Sequence, residues 1–225
     1  MSLETLLQKT GAVQLLRNSQ MGANPYPGVQ AEYTNWRDEQ RAWQKTCVLF
    51  NQSYHMTDMY LDGPDAIRLL SDLGTNTFKG FGPNKAKQYA PVNHEGYVIG
   101  DVILFGLEDG RFNLVGRPSV HNWVRYNAET GGYNVKVLKD DRSPGNTKGN
   151  AVKRECYRFQ IQGPNAWGVI KKLHGGEPPE VKFFTMDRIN IGGRKVRALR
   201  HGMAGAPGLE IWGPYEEYDE IRETI

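Results

Sequence analysis

The sequence contains few of the residues that build disulfide frameworks and metal centres. Among its 225 residues only two, Cys47 and Cys156, are cysteines, so the cytoplasm, where thiols stay reduced, is the expected location. The five histidines are dispersed along the chain, and no His/Cys cluster has the spacing of metal ligands. We therefore predict neither a disulfide-stapled fold nor a metal site.

Charge of one sign and long apolar runs are lacking as well. The 28 basic and 25 acidic side chains nearly balance at a net charge of +3, and the basic residues are scattered rather than clustered. We therefore predict no nucleic-acid partner. The longest apolar runs, such as residues 102–105, are far shorter than a bilayer-spanning helix requires, so no membrane association is expected.

The sequence does contain a mixture of helix-like and strand-like segments. Helical patterns cover residues 35–47, 66–73, 119–127 and 165–173, and the first of these should bury Trp36, Ala42 and Trp43. Apolar runs bounded by turn residues predict strands at residues 86–92, 98–105, 111–115, 134–138, 157–162, 181–186, 188–191 and 195–199. Because the strands are mostly joined by hairpin turns, this order of elements indicates an α+β architecture.

One strand–turn–helix unit occurs twice. Residues 61–70 and 161–170 both read Gly-Pro-Asp/Asn-Ala followed by apolar positions at matching places, and a strand-like run precedes each of them. Proline near the first turn and alanine on the buried face are typical of a helix start. We therefore predict an internal repeat at about residues 56–73 and 157–173.

A glycine-rich strand near the C-terminus carries a single carboxylate, Glu210. It is flanked by Leu209, Ile211 and Trp212, which predict a buried strand, and several glycines and a proline precede it. A buried carboxylate is costly unless groups donate hydrogen bonds to it, and a planar heterocycle with two adjacent N–H donors, such as a pterin, would do so. The alternative is a strand after a turn, with Glu210 pointing into solvent by alternation.

The paired Gly-Pro units, residues 96–104 and the strand that carries Glu210 resemble the folate-binding fold of the glycine-cleavage T-protein. Within that superfamily the chain resembles the tetrahydrofolate-dependent aryl O-demethylases, in the stretches 16–20, 82–89, 130–135, 159–164 and 200–214. The resemblance covers essentially the whole chain. It implies an α+β T-protein-like fold in which a ferredoxin-like βαβ unit is inserted into a discontinuous domain.

The same resemblance implies a reaction and a cofactor. These demethylases move the methyl group of vanillate, syringate or 3-O-methylgallate to tetrahydrofolate, which gives the phenol and 5-methyltetrahydrofolate. Two other functions stay open: another folate-dependent methyl or aminomethyl transferase, and a non-catalytic folate-binding scaffold. Because the family's chains are longer, we expect residues 1–225 to be an incomplete folate-binding region, inactive in isolation and prone to self-association.

The resemblance also implies roles for individual residues on the substrate side. Arg117 matches the arginine that holds the benzoate carboxylate, and Tyr26 matches a tyrosine of the aromatic pocket. Gln52 and His55 match residues near the oxygen substituents of the ring, and both are taken as catalytic. From the residues alone, Arg117 could equally be a surface arginine paired with an acid, and His55 a structural histidine.

On the cofactor side, the resemblance assigns Glu210, Asp101 and Gln162. T-proteins have two consecutive acids where this chain has Gly100 and Asp101, which argues against glycine-cleavage chemistry. Tyr54 stands where relatives often have a second histidine, so we expect a change in which ring substituents fit.

Overall fold

The computed structural model describes residues 2–17, 34–54, 56–140, 154–202 and 205–225. The chain divides into two units, Met1–Tyr33 and Thr34–Ile225. The smaller unit contains helices α1 (Leu3–Thr10) and α2 (Ala12–Arg17). Helix α1 begins at Ser2, whose side chain accepts a hydrogen bond from the backbone N–H of Thr5 at 3.2 Å, as expected of an N-cap.

The larger unit contains the remaining helices and all of the described strands. Its helices are α3 (Trp36–Lys45), α4 (Ala66–Leu73), α5 (Pro118–Thr130), α6 (Ala166–His174) and α7 (Tyr218–Thr224), with a 3-10 turn at Tyr215–Glu217. Its strands are β1 (Val48–Asn51), β2 (Thr57–Asp62), β3 (Lys85–Tyr89), β4 (Val102–Gly106), β5 (Phe112–Gly116), β6 (Lys136–Asp140), β7 (Cys156–Gln162), β8 (Met186–Ile191), β9 (Arg194–Leu199) and β10 (Gly208–Pro214). In the described part of the chain, no helix is both long and apolar enough to cross a membrane.

The strands form two five-stranded antiparallel sheets. Sheet A has the order β1-β7-β10-β9-β8, and sheet B has the order β3-β4-β5-β2-β6. Within sheet B the sequence β2-α4-β4-β5-α5-β6 is a ferredoxin-like unit, to which β3 adds an edge strand. Sheet A takes β1 from before this unit and β7 to β10 from after it. The predicted α+β class and the insertion into a discontinuous domain are therefore confirmed.

Each sheet packs helices on one face, and the other faces of the two sheets meet. Helices α4 and α5 cover sheet B through a core that includes Leu70, Leu114 and Val124. Sheet A packs against α6, and Phe159 on its helix side lies 5.2 Å from the ring of Tyr218. A second core joins the two sheets, since residues of sheet B pack there on residues of sheet A, as Phe105 does on Trp212 at a ring distance of 5.3 Å.

The two Gly-Pro turns predicted as a repeat have closely similar backbone geometry. Gly63 and Gly163 have φ angles of 148° and 134°, which favour glycine. A Cβ atom there would lie 2.3 Å from the carbonyl oxygen of Asn134 or 2.6 Å from that of Thr46. Both turns therefore need glycine because another backbone segment passes close by. An origin of the two units by duplication stays a prediction.

Three local predictions were wrong. Trp36, the first residue of α3, is 55% exposed, and Ala42 and Trp43 are only partly buried, although the ring of Trp43 lies 5.3 Å from that of Phe50. Residues 181–185 form isolated bridges rather than a strand, because Phe184 has a positive φ of 53° that interrupts the extended run. The strand predicted from residue 98 begins only at Val102, after Gly100 with its φ of 157°.

Candidate functional site

Polar side chains of sheet A that face sheet B form one wall of the candidate site. Strand side chains alternate between faces, and the register pairs Glu210 with Gln160 and Trp212 with Arg158. These four residues and Gln162 consequently lie on the same face, and the contact of Trp212 with Phe105 fixes that face as the one toward sheet B.

The opposing wall is the face of sheet B that carries Asp58 and Val115. The register pairs Gly116 with both Thr57 and Val102. Arg117 therefore lies at the end of sheet B where β5 ends and where β2 and β4 begin. Arg117 follows Val115 by two residues in extended backbone (φ −80°, ψ 149°), which puts both on the face toward sheet A. Asp101 precedes Val102 and Arg117 follows Gly116, so the Val102–Gly116 pair brings both to the same end of sheet B, where Gln88 donates a hydrogen bond to the Asp101 carboxylate.

Glu210 is 4% exposed, so the alternative of a solvent-facing strand carboxylate is wrong. Its Oε1 accepts a hydrogen bond from Nη1 of Arg158 at 2.5 Å, whereas its Oε2 lies 3.7 Å from Nδ1 of His201. Burial raises the pKa of the Glu210 carboxyl, but Arg158 and His201 outweigh burial, so this pKa lies below its usual value. Glu210 is therefore ionised at neutral pH, and its Oε2 accepts no hydrogen bond of ordinary length from the described residues, His201 Nδ1 being 3.7 Å away.

Arg158 is a site residue that sequence reasoning missed. Its Nη2 donates to Asp58 Oδ1 at 2.9 Å, while its Nη1 holds Glu210. Burial lowers the pKa of the Arg158 guanidinium, but the carboxylates of Asp58 and Glu210 raise it by more, so Arg158 stays cationic. The only sequence signal is a charged residue inside an otherwise buried strand, Cys156–Gln162.

A second buried arginine, Arg154, links Asp58 to Asp140 on β6, an edge strand of sheet B. Arg154 is 1% exposed and donates to Asp58 Oδ2 at 3.1 Å and to Asp140 Oδ2 at 3.2 Å. Its Nη1 also donates to the backbone carbonyl of Ser53 at 2.9 Å. We call Asp58, Asp140, Arg154, Arg158 and Glu210 the ionic cluster.

A row of glutamine side chains runs along the sheet A wall. Gln52 Nε2 donates to Gln160 Oε1 at 2.7 Å, and Gln160 Nε2 donates to the carbonyl of His201 at 2.8 Å. Gln162 Nε2 donates to the carbonyl of Ala206 at 2.9 Å, but its buried Oε1 has no partner in the described part of the chain. A buried acceptor without a donor is unusual, which makes Gln162 a candidate ligand contact.

On the sheet B wall, Arg117 is exposed, and none of the residues that the structure describes forms an ion pair with it. The described residues therefore give no support to the prediction that Arg117 is a surface arginine paired with a neighbouring acid. Below it, buried His121 contacts the carbonyl of Leu114 at 3.0 Å through Nε2, which ties the first turn of α5 to β5. The backbone of Arg117 thus lies at a fixed strand–helix junction, and its exposed guanidinium is open to an anion.

Two predicted site residues, Tyr26 and His55, lie outside the described residues. Tyr54 is buried, and its hydroxyl hydrogen-bonds that of Tyr215, with the ring of Tyr218 at 6.3 Å. Its hydroxyl is thus engaged with the segment that follows β10.

The glycines around Glu210 are required by contacts within the protein. A Cβ atom on Gly208 would lie 2.0 Å from the carbonyl oxygen of Ile161, and one on Gly202 would lie 2.5 Å from that of Ala206. Close approach of a flat ligand is therefore not needed to explain them. At Gly100, where φ is 157°, a Cβ atom would lie 3.1 Å from Val120 Cγ2, so an acidic residue would be strained and would need the Val120 side chain to shift by a few tenths of an ångström.

Comparisons with known proteins give one family. The sequence model of the GCVT N-terminal domain matches residues 3–225. The chain is 53% identical over 225 residues to a syringate O-demethylase of Sphingobium sp. (strain SYK-6), covering 100% of this chain and 48% of that protein. It is 28% identical over 210 residues to an aminomethyltransferase of Thermoanaerobacter pseudethanolicus, covering 89% of this chain and 54% of that protein.

The fold has a solved counterpart. The crystal structure of the glycine cleavage system aminomethyltransferase T from Bartonella henselae matches with a TM-score of 0.64 at 21% sequence identity, over 83% of this chain and 47% of that chain. At this level of identity the match shows the fold alone. The chain spans about half the length of the curated relatives it matches.

Proposed function

We propose that this chain, which belongs to the GCVT N-terminal domain family, supplies both walls of the site of a tetrahydrofolate-dependent aryl O-demethylase. The enzyme would transfer the methyl group of an aromatic methoxy acid to tetrahydrofolate, giving the phenol and 5-methyltetrahydrofolate. Vanillate, syringate and 3-O-methylgallate are the proposed substrates. A cytoplasmic location is part of the proposal and agrees with the free thiols of Cys47 and Cys156.

The observation that carries the proposal is the 53% identity with a syringate O-demethylase over the whole chain. The geometry supports it because the two facing walls offer complementary groups. Glu210 on sheet A is an ionised carboxylate with one oxygen free of described donors, and Arg117 on sheet B is a guanidinium without an ion-pair partner among them. A pterin N–H edge suits the first group, and a benzoate carboxylate suits the second.

The residues present fit tetrahydrofolate. Glu210 Oε2 can accept one hydrogen bond, and Gln162 Oε1, buried and without a described partner, can accept another. Asp101 lies on the facing wall and is exposed. When bound, tetrahydrofolate supplies the nitrogen that receives the methyl group.

The protein's own task is to orient the methyl donor. Arg117 would grip the ring carboxylate through two parallel hydrogen bonds, and Tyr26 would line the aromatic pocket. Gln52 has one amide N–H engaged by Gln160, which leaves the other free for a ring oxygen. His55 would also lie near the ring oxygens. The methyl leaves without the electron pair of its bond to oxygen, so the departing oxygen develops negative charge that a positioned donor stabilises.

The test is the reaction itself. The full-length protein that contains this chain is incubated with tetrahydrofolate and a panel of methoxybenzoates, and 5-methyltetrahydrofolate and the matching phenol are quantified. Equal amounts of both products with at least one substrate are expected. Absence of both products with every methoxybenzoate, from protein that is folded, would overturn the proposal. Tetrahydrofolate binding without turnover would instead indicate the non-catalytic scaffold.

A second candidate is an aminomethyltransferase, favoured by the 28% identity with the protein of that name from Thermoanaerobacter pseudethanolicus. This chain has Gly100 rather than a second acid beside Asp101, which argues against this candidate. Gly100 packs against Val120 and Ser119 at the start of α5. Glycine-dependent formation of methylenetetrahydrofolate, measured in the presence of an aminomethyl carrier, would favour this candidate over demethylation.

A further inference from the structure

The ionic cluster joins the two walls of the candidate site. Glu210 and Arg158 belong to sheet A, Asp58 and Asp140 belong to sheet B, and Arg154 lies two residues before the start of β7. All five side chains are at most 5% exposed, so their geometry is set by one another rather than by solvent. Three carboxylates and two guanidinium groups leave this buried set with a formal charge of −1.

Arg158 is the member that connects Glu210 to the facing sheet. Its planar guanidinium uses one Nη atom for Glu210, at 2.5 Å, and the other for Asp58, at 2.9 Å. The ring centres of Phe105 and Trp212 lie 5.3 Å and 5.2 Å from its Cζ atom, so aromatic groups hold it as well. Because the fork is rigid, Arg158 determines which oxygen of Glu210 stays free.

The same arginines hold the turn that follows β1. The backbone N–H of Arg158 donates to Ser53 Oγ at 3.0 Å, and Arg154 Nη1 donates to the Ser53 carbonyl at 2.9 Å. Ser53 directly follows Gln52, whose backbone N–H donates to the Arg158 carbonyl at 2.8 Å. Residues 154–158 therefore connect the proposed cofactor contact at Glu210 with the segment that carries the proposed substrate contact, Gln52.

We propose that Arg158 is a positioning residue for methyl transfer, which fixes Glu210 Oε1 so that Glu210 Oε2 meets the cofactor. This inference rests on the proposed function. The competing explanation is that Arg158 only neutralises buried carboxylates, as buried arginines in structural networks do. The two explanations differ in what they require of ligand binding in a folded variant.

The charged and titratable groups that face Glu210 define the expected pH effect. They are Arg158 from β7, His201 from the segment after β9 and, through Arg158, Asp58 from β2. Loss of the Arg158 hydrogen bond removes an influence that lowers the pKa of the Glu210 carboxyl. Cofactor affinity in such a variant should therefore fall at a higher pH than in the wild type, because protonated Glu210 no longer accepts at both oxygens.

The experiment uses the full-length protein with Arg158→Lys, which keeps the charge and loses the fork. The matched control is Arg188→Lys, an exposed arginine on β8 of the same sheet that pairs with Glu108. Calorimetry with reduced tetrahydrofolate gives the dissociation constant from about pH 8 down to about pH 5.5, the range in which a raised carboxyl pKa would be seen. We expect Arg158→Lys to weaken binding about tenfold at neutral pH, and more in acid. The control should match the wild type throughout.

A second variant keeps the test decisive if Arg158→Lys does not fold. Asp58→Asn retains the shape of the anchor but weakens its hold on Arg158, and should weaken tetrahydrofolate binding in the same direction. The proposal is overturned if either folded variant binds tetrahydrofolate with the wild-type affinity and the wild-type pH dependence while Glu210→Gln binds more weakly. Failure of the wild type itself to bind tetrahydrofolate would instead overturn the proposed function, and this inference with it.

Discussion

Replacement of Arg154 by methionine should destabilise the protein more than almost any surface change. Arg154 is 1% exposed and is the shared partner of Asp58 and Asp140, to which its nearest nitrogen atoms lie at 3.1 Å and 3.2 Å. The change Arg154→Met leaves two buried carboxylates close together with one counter-ion fewer. Removal of one partner from a buried pair typically costs about 3–5 kcal/mol, which is a large part of the stability of an ordinary domain.

The assay is urea unfolding of the full-length protein followed by tryptophan fluorescence. Arg188→Met is the control, since Arg188 also pairs with a carboxylate, Glu108, but the two side chains are 44% and 32% exposed. An exposed pair of this kind is worth about 0–1 kcal/mol. A loss for Arg154→Met no greater than that of Arg188→Met would refute the reasoning, because the ionic cluster would then contribute no more than a surface ion pair.

The pH dependence provides a second check on the same variant. Burial raises the pKa of the Asp140 carboxyl above its usual 3.8, although Arg154 acts to lower it. A carboxyl whose pKa is raised in the folded state costs no stability below its unfolded pKa; the cost grows as pH rises from the unfolded pKa to the folded pKa and is complete above it. Without Arg154 this pKa should rise further, so the difference between variant and wild type should shrink from about pH 8 to about pH 5. Adding Asp140→Asn should recover part of the loss at the higher pH.

Three further predictions concern ligands and backbone. Glu210→Gln should weaken tetrahydrofolate binding by about 1–3 kcal/mol, or about 5- to 150-fold in a calorimetric dissociation constant, and an unchanged constant would remove the assignment. Arg117→Lys keeps the charge without the fork and should raise KM for methoxybenzoates far more than for neutral methoxyphenols; equal effects would exclude a carboxylate clamp. Gly163→Ala should lower the urea midpoint because its Cβ would lie 2.6 Å from the Thr46 carbonyl oxygen, whereas Gly168→Ala, with open space in helix α6, should raise it.

The sequence predicts the local elements well because their signals are local. The predicted helix at residues 66–73 has the bounds of α4, Ala66–Leu73, since the Gly-Pro turn and the following apolar spacing both mark its start. The hairpin of β8 and β9 is likewise marked by Gly192 and Gly193, which both have positive φ angles. Trp36 misled the prediction because an aromatic residue at the first helical position can face solvent as readily as a core.

The sheet order could not be derived from local patterns. β1 pairs with β7, and the whole ferredoxin-like unit lies between them in the chain. Only the resemblance to a family with an inserted unit gave that arrangement in advance. The ionic cluster is similarly long-range, since its members at positions 58, 140, 154, 158 and 210 come from separate strands or strand ends. A single sequence contains no spacing that connects them.

The burial of Glu210, the carboxylate that the sequence singles out, is explained better by ligand recognition than by stability. From the sequence we predict that a buried Glu210 needs hydrogen-bond donors and that a bound heterocycle provides both hydrogen bonds. In the structure the two oxygens of Glu210 differ. Arg158 donates a hydrogen bond to Oε1, whereas Oε2 lies 3.7 Å from His201 Nδ1. Buried ion pairs are poor devices for stability, since apolar side chains of similar volume often serve as well or better. An ionised carboxylate held rigidly, with one oxygen to which none of the described residues donates a hydrogen bond of ordinary length, is instead what recognition of an N–H edge requires, because the desolvation cost is met before the ligand arrives.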